Sequence, residues 1–135
     1  MINEKKKILV VEDNSETQLI VKVNLREYYD IEIRDNAVEA ISLVHNNKFD
    51  LVLLDINLRG EFDGREVLKK LKENSELSKI PVIIITAYDL PEEERNYLEK
   101  VCCDYIEKPL EKEKLLKSVH KCIRNAKVEN KDQAN

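Results

Sequence analysis

At 135 residues, 42% of them hydrophobic, the chain is long enough to close one core, and no second folded unit is expected. Its 27 acidic residues outnumber 23 basic ones, a formal charge of -4, which argues against a nucleic-acid partner. No apolar run approaches the roughly 20 residues that cross a bilayer, and the start lacks a signal-peptide core, so a cytoplasmic location is expected.

The chain opens with Lys5-Lys6-Lys7, a short basic stretch that reads as a solvated lead-in to a strand. Ile8-Leu9-Val10-Val11 forms that strand and runs straight into Glu12 and Asp13. Ser15 with Gln18 reads as a capping box, opening a helix with Ile20, Val21, Leu25 and Tyr28 on one face. Ile31 and Ile33 alternate with Glu32 and Arg34, the pattern of an edge strand with one wet face. Asn36 and Glu39 offer a second cap, and Ala37, Ala40, Ile41 and Val44 follow at helical spacing.

Leu51-Val52-Leu53-Leu54 is a continuous apolar run that ends on Asp55. Beyond it lie the only two glycines, Gly60 and Gly64, so backbone freedom is expected to be concentrated beside that acid. Val67, Leu68 and Leu71 mark a third helix, and Pro81 introduces the strand Val82-Ile83-Ile84-Ile85, which stops at Thr86. Pro91 with Glu92, Glu93 and Glu94 suits the start of a fourth helix. Tyr105-Ile106 leads into Lys108-Pro109, a candidate cis peptide, and a last helix buries Leu115, Val119, Cys122 and Ile123. Residues 126–135 are polar without periodicity and are expected to be a disordered tail to a domain spanning 5–125.

Five strands alternating with five helices predict an α/β fold in which helices cover both faces of a parallel sheet. The carboxyl ends of such strands line a crevice, which would gather Glu12, Asp13, Asp55, Thr86 and Lys108. Three acids in one cleft repel one another unless a cation is present, and Mg²⁺ prefers one or two carboxylates, waters and a phosphate oxygen. Asp13 and Asp55 are the direct ligand candidates, with Glu12 acting through water. Lys108 supplies a point charge for a phosphate oxygen, and Thr86 a hydroxyl. A carboxylate flanked in this way is arranged for phosphoryl transfer. Neither His45 nor His120 is needed for it. The three cysteines lack metal spacing, and a reducing cytosol would leave all of them as small apolar side chains.

Glu12-Asp13, Asp55, Thr86-Ala87 and Lys108-Pro109, each after its strand, together resemble the receiver domain of bacterial two-component response regulators, including the single-domain chemotaxis regulator. The resemblance implies a flavodoxin-like, doubly wound five-stranded sheet of order 2-1-3-4-5. It also implies that Asp55 accepts a phosphoryl group from a histidine kinase or histidine phosphotransfer protein, with Mg²⁺ held by Asp13, Asp55 and the backbone carbonyl of Asn57. Thr86 and Ala87 would meet the phosphate, Tyr105 would act as a switch aromatic, and a downstream protein partner would read the fourth helix, fifth strand and fifth helix. Asn57 and Tyr88 lie where phosphate lifetime is tuned. The chain departs from the pattern at Arg59-Gly60, where a Pro-Gly turn is frequent, and Glu61-Phe62 lengthens the stretch before Asp63-Gly64 by one residue. Val101-Cys102-Cys103 replaces a frequent glycine, small residue and acid.

The leading expectation is a phosphorylation-controlled interaction module that turns over no free substrate. One alternative is an intermediate phosphorelay receiver from a hybrid histidine kinase, against which the starting Met and short tail weigh slightly. Another is a Mg-dependent phosphatase of the haloacid-dehalogenase type, which would want an acid two residues after its nucleophile, where Asn57 stands. A receiver that only binds is disfavoured by the intact acids.

Overall fold

The computed structural model describes residues 4–87 and 89–133, with side chains described as far as 126. The elements are β1 (Lys7–Val11), α1 (Ser15–Leu25), β2 (Asp30–Arg34), α2 (Ala37–Asn46), β3 (Leu51–Asp55), α3 (Gly64–Glu73), a 3₁₀ turn (Leu77–Lys79), β4 (Val82–Thr86), α4 (Glu92–Val101), β5 (Asp104–Glu107) and α5 (Lys112–Gln133). The strands form one sheet of order β2-β1-β3-β4-β5, all parallel, as the resemblance implies.

Alternation along each strand sorts the core into two layers. Leu9, Val11, Val52, Leu54 and Ile84 pack with residues of α2, α3 and α4, while Ile8, Val10, Leu51, Leu53, Ile83 and Ile85 pack with α1 and α5. β3 and β4 are buried along their whole length, which explains their unbroken apolar runs; β2 at the edge is only half-buried, which explains its alternation. The register decides where the site forms. Val11 pairs with Leu54, Asp55 with Ile85, and Thr86 with Glu107, so the residues just past these positions emerge side by side.

Local chemistry differs from the sequence expectations at several points. The cap of α1 is Asn14, whose Oδ1 accepts from Thr17 N at 2.9 Å; Gln18 instead donates to the Glu12 carbonyl at 2.6 Å. Tyr28 is exposed and Tyr29 completes the buried stripe, because α1 ends at Leu25 and the following turn rotates the next tyrosine inward. Asn36 caps α2 as expected, accepting from Glu39 N at 2.9 Å.

Two further expectations are corrected. The α5 backbone is helical through Gln133, where the sequence suggests an irregular stretch from 126; Lys127, Glu129 and Lys131 are good helix formers with no Gly or Pro among them. The three thiols are not all free either. Cys103 and Cys122 form a disulfide, since Cys122 on the buried stripe of α5 faces the start of β5 with Cα atoms 6.0 Å apart. Cys102 stays reduced and half-buried, and burial pushes its thiol up to about 11.

Candidate functional site

The candidate side chains around Asp55 are delivered by the last residue of a strand or by the first two residues of the loop after it. Asp55 closes β3 and Glu12 follows β1 at the same level, both on the sheet face that α1 and α5 cover. Asp55 is 4% exposed and Glu12 is fully buried. Such acids are costly to bury without partners, and both find the same one. Lys108, two residues past the β5 pairing of Ile106, brings Nζ to 2.6 Å from Glu12 Oε1 and 3.0 Å from Asp55 Oδ2. Its peptide to Pro109 is cis.

Two buried carboxylates against one ammonium leave the group short of positive charge. Burial, then the hydrogen bond with Asp55, pushes Glu12 up to about 7, against the lowering pull of Lys108. Burial works to lower Lys108, but the hydrogen bonds and charges of Glu12 and Asp55 outweigh it and hold its ammonium above the usual range. Asp13 lies at the rim. Burial works to raise it, but Arg59 reverses the direction: Arg59 N donates to Asp13 Oδ2 at 2.8 Å and Nε lies 3.2 Å from the same oxygen.

The remaining Asp55 oxygen, Oδ1, accepts from Asn57 N at 2.9 Å. Asn57 then turns its side chain to β4, where Nδ2 donates to Thr86 Oγ1 at 3.2 Å. Thr86 is buried and lies on the opposite sheet face from Asp55, the face shared with α4. Tyr105 lies on that same face, half-buried, with the Arg95 guanidinium 5.8 Å from its ring centre. Ala87 is exposed and lines the cleft. Tyr88 lies outside the described residues.

Gly64 explains how the loop can stay so close to the acid. A Cβ there would stand 2.2 Å from the Asp55 carbonyl oxygen and 2.7 Å from Ile56 Cα, so α3 begins in contact with the end of β3. Gly64 N donates to Ile56 O at 3.2 Å across that approach. Gly60 does the other job, with φ at +111°. Only this second glycine supplies the backbone freedom that the sequence suggests for both.

Asp13, Asp55, Asn57, Ala87 and Lys108 surround a cleft of about 640 Å³. Glu12, Asp13 and Asp55 each offer a carboxylate oxygen, all within 4.8 Å of one another. An all-oxygen, net-negative donor set of this kind fits a hard divalent cation such as Mg²⁺. The cleft thus joins the features needed to neutralise and position a phosphoryl group. Sequence reasoning missed Arg59 on Asp13 and a second arginine, Arg65, whose Nη1 lies 3.4 Å from Asn57 Oδ1. The signal for Arg59 was its place in a departure from the family turn; nothing in spacing alone marked Arg65.

Comparison with known proteins gives the same picture. The family model of the response regulator receiver domain matches residues 8–120. The polar-differentiation response regulator DivK of Brucella anthropi is 32% identical over 123 residues, covering 90% of this chain and 98% of that protein. A CheY-like receiver domain from Methanospirillum hungatei superposes with a TM-score of 0.83 at 28% identity, over 93% of this chain and 99% of that one. The receiver domain of a sensor histidine kinase from Pseudomonas aeruginosa, described with a magnesium ion coordinated in its active-site cleft, gives 0.78 at 25% identity, over 88% and 98%. The chain spans about half the length, 53% and 56%, of two transcriptional regulators that it also matches. This chain belongs to the response regulator receiver domain family of two-component systems. No helix among the described residues is long and apolar enough to cross a membrane.

Proposed function

We propose that this receiver is a phosphorylation-dependent switch in which Asp55 accepts a phosphoryl group from a phosphohistidine of a histidine kinase or phosphotransfer protein. The observation that carries the reading is the sharing of one ammonium, Lys108, by two buried carboxylates, Glu12 and Asp55, at the floor of an open cleft. Mg²⁺ would be held by Asp13, Asp55 and the backbone carbonyl of Asn57, with Glu12 reached through water, and when bound it supplies positive charge to the phosphoryl oxygens. An Asp55 carboxylate oxygen attacks phosphorus, a phosphorus–oxygen bond forms, and the phosphorus–nitrogen bond to the donor imidazole breaks. Lys108, freed from part of its pairing with Asp55, follows the new charge onto a phosphoryl oxygen.

The same event alters the opposite sheet face. Thr86 would leave Asn57 for a phosphoryl oxygen, and Tyr105, against Arg95 at rest, would turn inward to fill the space. The resulting population shift would be read by a downstream protein on α4, β5 and α5. The domain of 5–125 working in the cytoplasm, with no nucleic acid bound directly, completes this reading. Likeness to the response regulator DivK supports a regulator that passes the signal to a downstream partner, while likeness to a sensor-kinase receiver supports a relay role as the second reading. A phosphatase working on free esters is disfavoured, because the Asn57 amide cannot serve as a general acid.

Incubation with acetyl phosphate and Mg²⁺ followed by intact mass should give one added phosphoryl group on the wild type and none on Asp55→Asn. Equal incorporation by both proteins would refute Asp55 as the acceptor.

A further inference from the structure

Arg65 stands in the first turn of α3 and is forked onto α4. Its Nε and Nη2 donate to Glu94 Oε2 and Oε1 at 2.5 and 2.7 Å, and Nη1 donates to Asp63 Oδ2 at 2.8 Å. That same Nη1 lies 3.4 Å from Asn57 Oδ1. A guanidinium has donors only, so the Asn57 carboxamide must turn its oxygen toward Arg65. The amide nitrogen is left facing Thr86 Oγ1, at 3.2 Å. One line of polar contacts therefore runs from Glu94 through Arg65 and Asn57 to Thr86, and Asn57 is at the same time the backbone donor to Asp55 Oδ1.

We propose that Arg65 is a positioning residue for the chemistry at Asp55, fixing the orientation of the Asn57 carboxamide and thereby the survival time of the phosphoryl group, with Glu94 of α4 as its anchor. This rests on the reading of Asp55 as phosphoacceptor. Hydrolysis requires a water oxygen to attack phosphorus while the bond from phosphorus to the Asp55 oxygen breaks, restoring the carboxylate and releasing inorganic phosphate. With Arg65 in place the carboxamide oxygen is held away from the phosphoryl group. Without it the amide can turn over and present an acceptor that orients the attacking water. Loss of Arg65 therefore shortens the lifetime, and it does so only through Asn57.

The test is a four-protein comparison of wild type, Arg65→Met, Asn57→Ala and the double variant, each loaded with acetyl phosphate and Mg²⁺, freed of donor and followed by intact mass. Arg65→Met should shorten the half-life about 3- to 10-fold, the size of one ordinary net hydrogen bond, in the Asn57 background. In the Asn57→Ala background it should change nothing. Equal shortening in both backgrounds, or no shortening in the first, overturns the proposal. Arg65→Lys keeps a charge for Glu94 but lacks the planar fork that also reaches Asn57, so it should behave like Arg65→Met; a wild-type lifetime with lysine overturns the proposal too. If Arg65→Met does not fold in a thermal melt, the lysine variant carries the same comparison. A wild type that takes up no phosphoryl group contradicts the phosphoacceptor reading, and the role of Arg65 falls with it. A normally loaded wild type with an indifferent variant overturns Arg65 alone.

Discussion

At the end of the sheet where the strands begin, Asp104 has a hydroxyl and a lysine to itself: Ser118 Oγ donates at 2.6 Å and Lys121 Nζ lies at 3.3 Å. At the end where the strands finish, Glu12 and Asp55 divide a single lysine between them, and Asp13 is met by an arginine that is 85% exposed. Asp104 lies partly in solvent, whereas Glu12 and Asp55 are buried. The contrast separates two uses of the same residue type. Charge matched one to one at the surface closes a fold at little cost. Buried charge left short of a partner stores affinity for something positive, and it is built where the strands converge.

That contrast can be broken first at Gly64. Gly64→Ala forces a Cβ into the backbone at Asp55 and Ile56, and should cost roughly 3 kcal/mol of stability by urea unfolding, with the site disturbed as well. Lys108→Met leaves Glu12 and Asp55 without their shared cation and should cost about 2 to 3 kcal/mol in the absence of Mg²⁺, a loss that added Mg²⁺ partly reverses in the same measurement. At the other end, Cys122→Ser removes a link between residues 19 apart in sequence and should cost about 2 kcal/mol, while phosphoryl uptake by intact mass stays as in wild type. If instead that variant lost uptake, the two ends would not be separable in the way described.

A further effect is a pH dependence. Glu12 is raised from 4.5 to about 7 in the folded protein, so between those values the native state binds a proton that the unfolded chain does not. Its contribution to stability is present below pH 4.5 and is lost as pH rises through about 7. Metal-free protein should therefore lose some stability between pH 5 and 7.5 in denaturant titrations, and Glu12→Gln should flatten that slope. An unchanged slope in the variant would place the titration elsewhere.

Much of this was legible in the chain. Continuous apolar runs marked β1, β3 and β4 because strands covered on both faces have no wet side to advertise, and the acids after them stood out against that background. Asp55, Glu12 and Lys108 could be gathered because strand ends in a parallel sheet share one crevice. What stayed hidden depends on long-range geometry. Arg65 meets Asn57 only because α3 starts against the end of β3 and α4 lies beside it, and Cys103 meets Cys122 only once α5 has packed on the sheet. Tyr28 and Tyr29 were exchanged because helical spacing cannot foresee where a helix stops. The last helix runs on past 126 because lysine and glutamate carry good helix propensity there, which an apolar-periodicity reading does not weigh.

The central claim is that the finishing ends of the strands create a site that is complete only with a divalent cation. Calorimetric titration with Mg²⁺ addresses it directly. One ion should bind per wild-type chain, with binding abolished in Asp13→Asn and in Asp55→Asn and retained in Cys122→Ser. Binding that survives both acid replacements, or no binding to the wild type at all, would contradict the account.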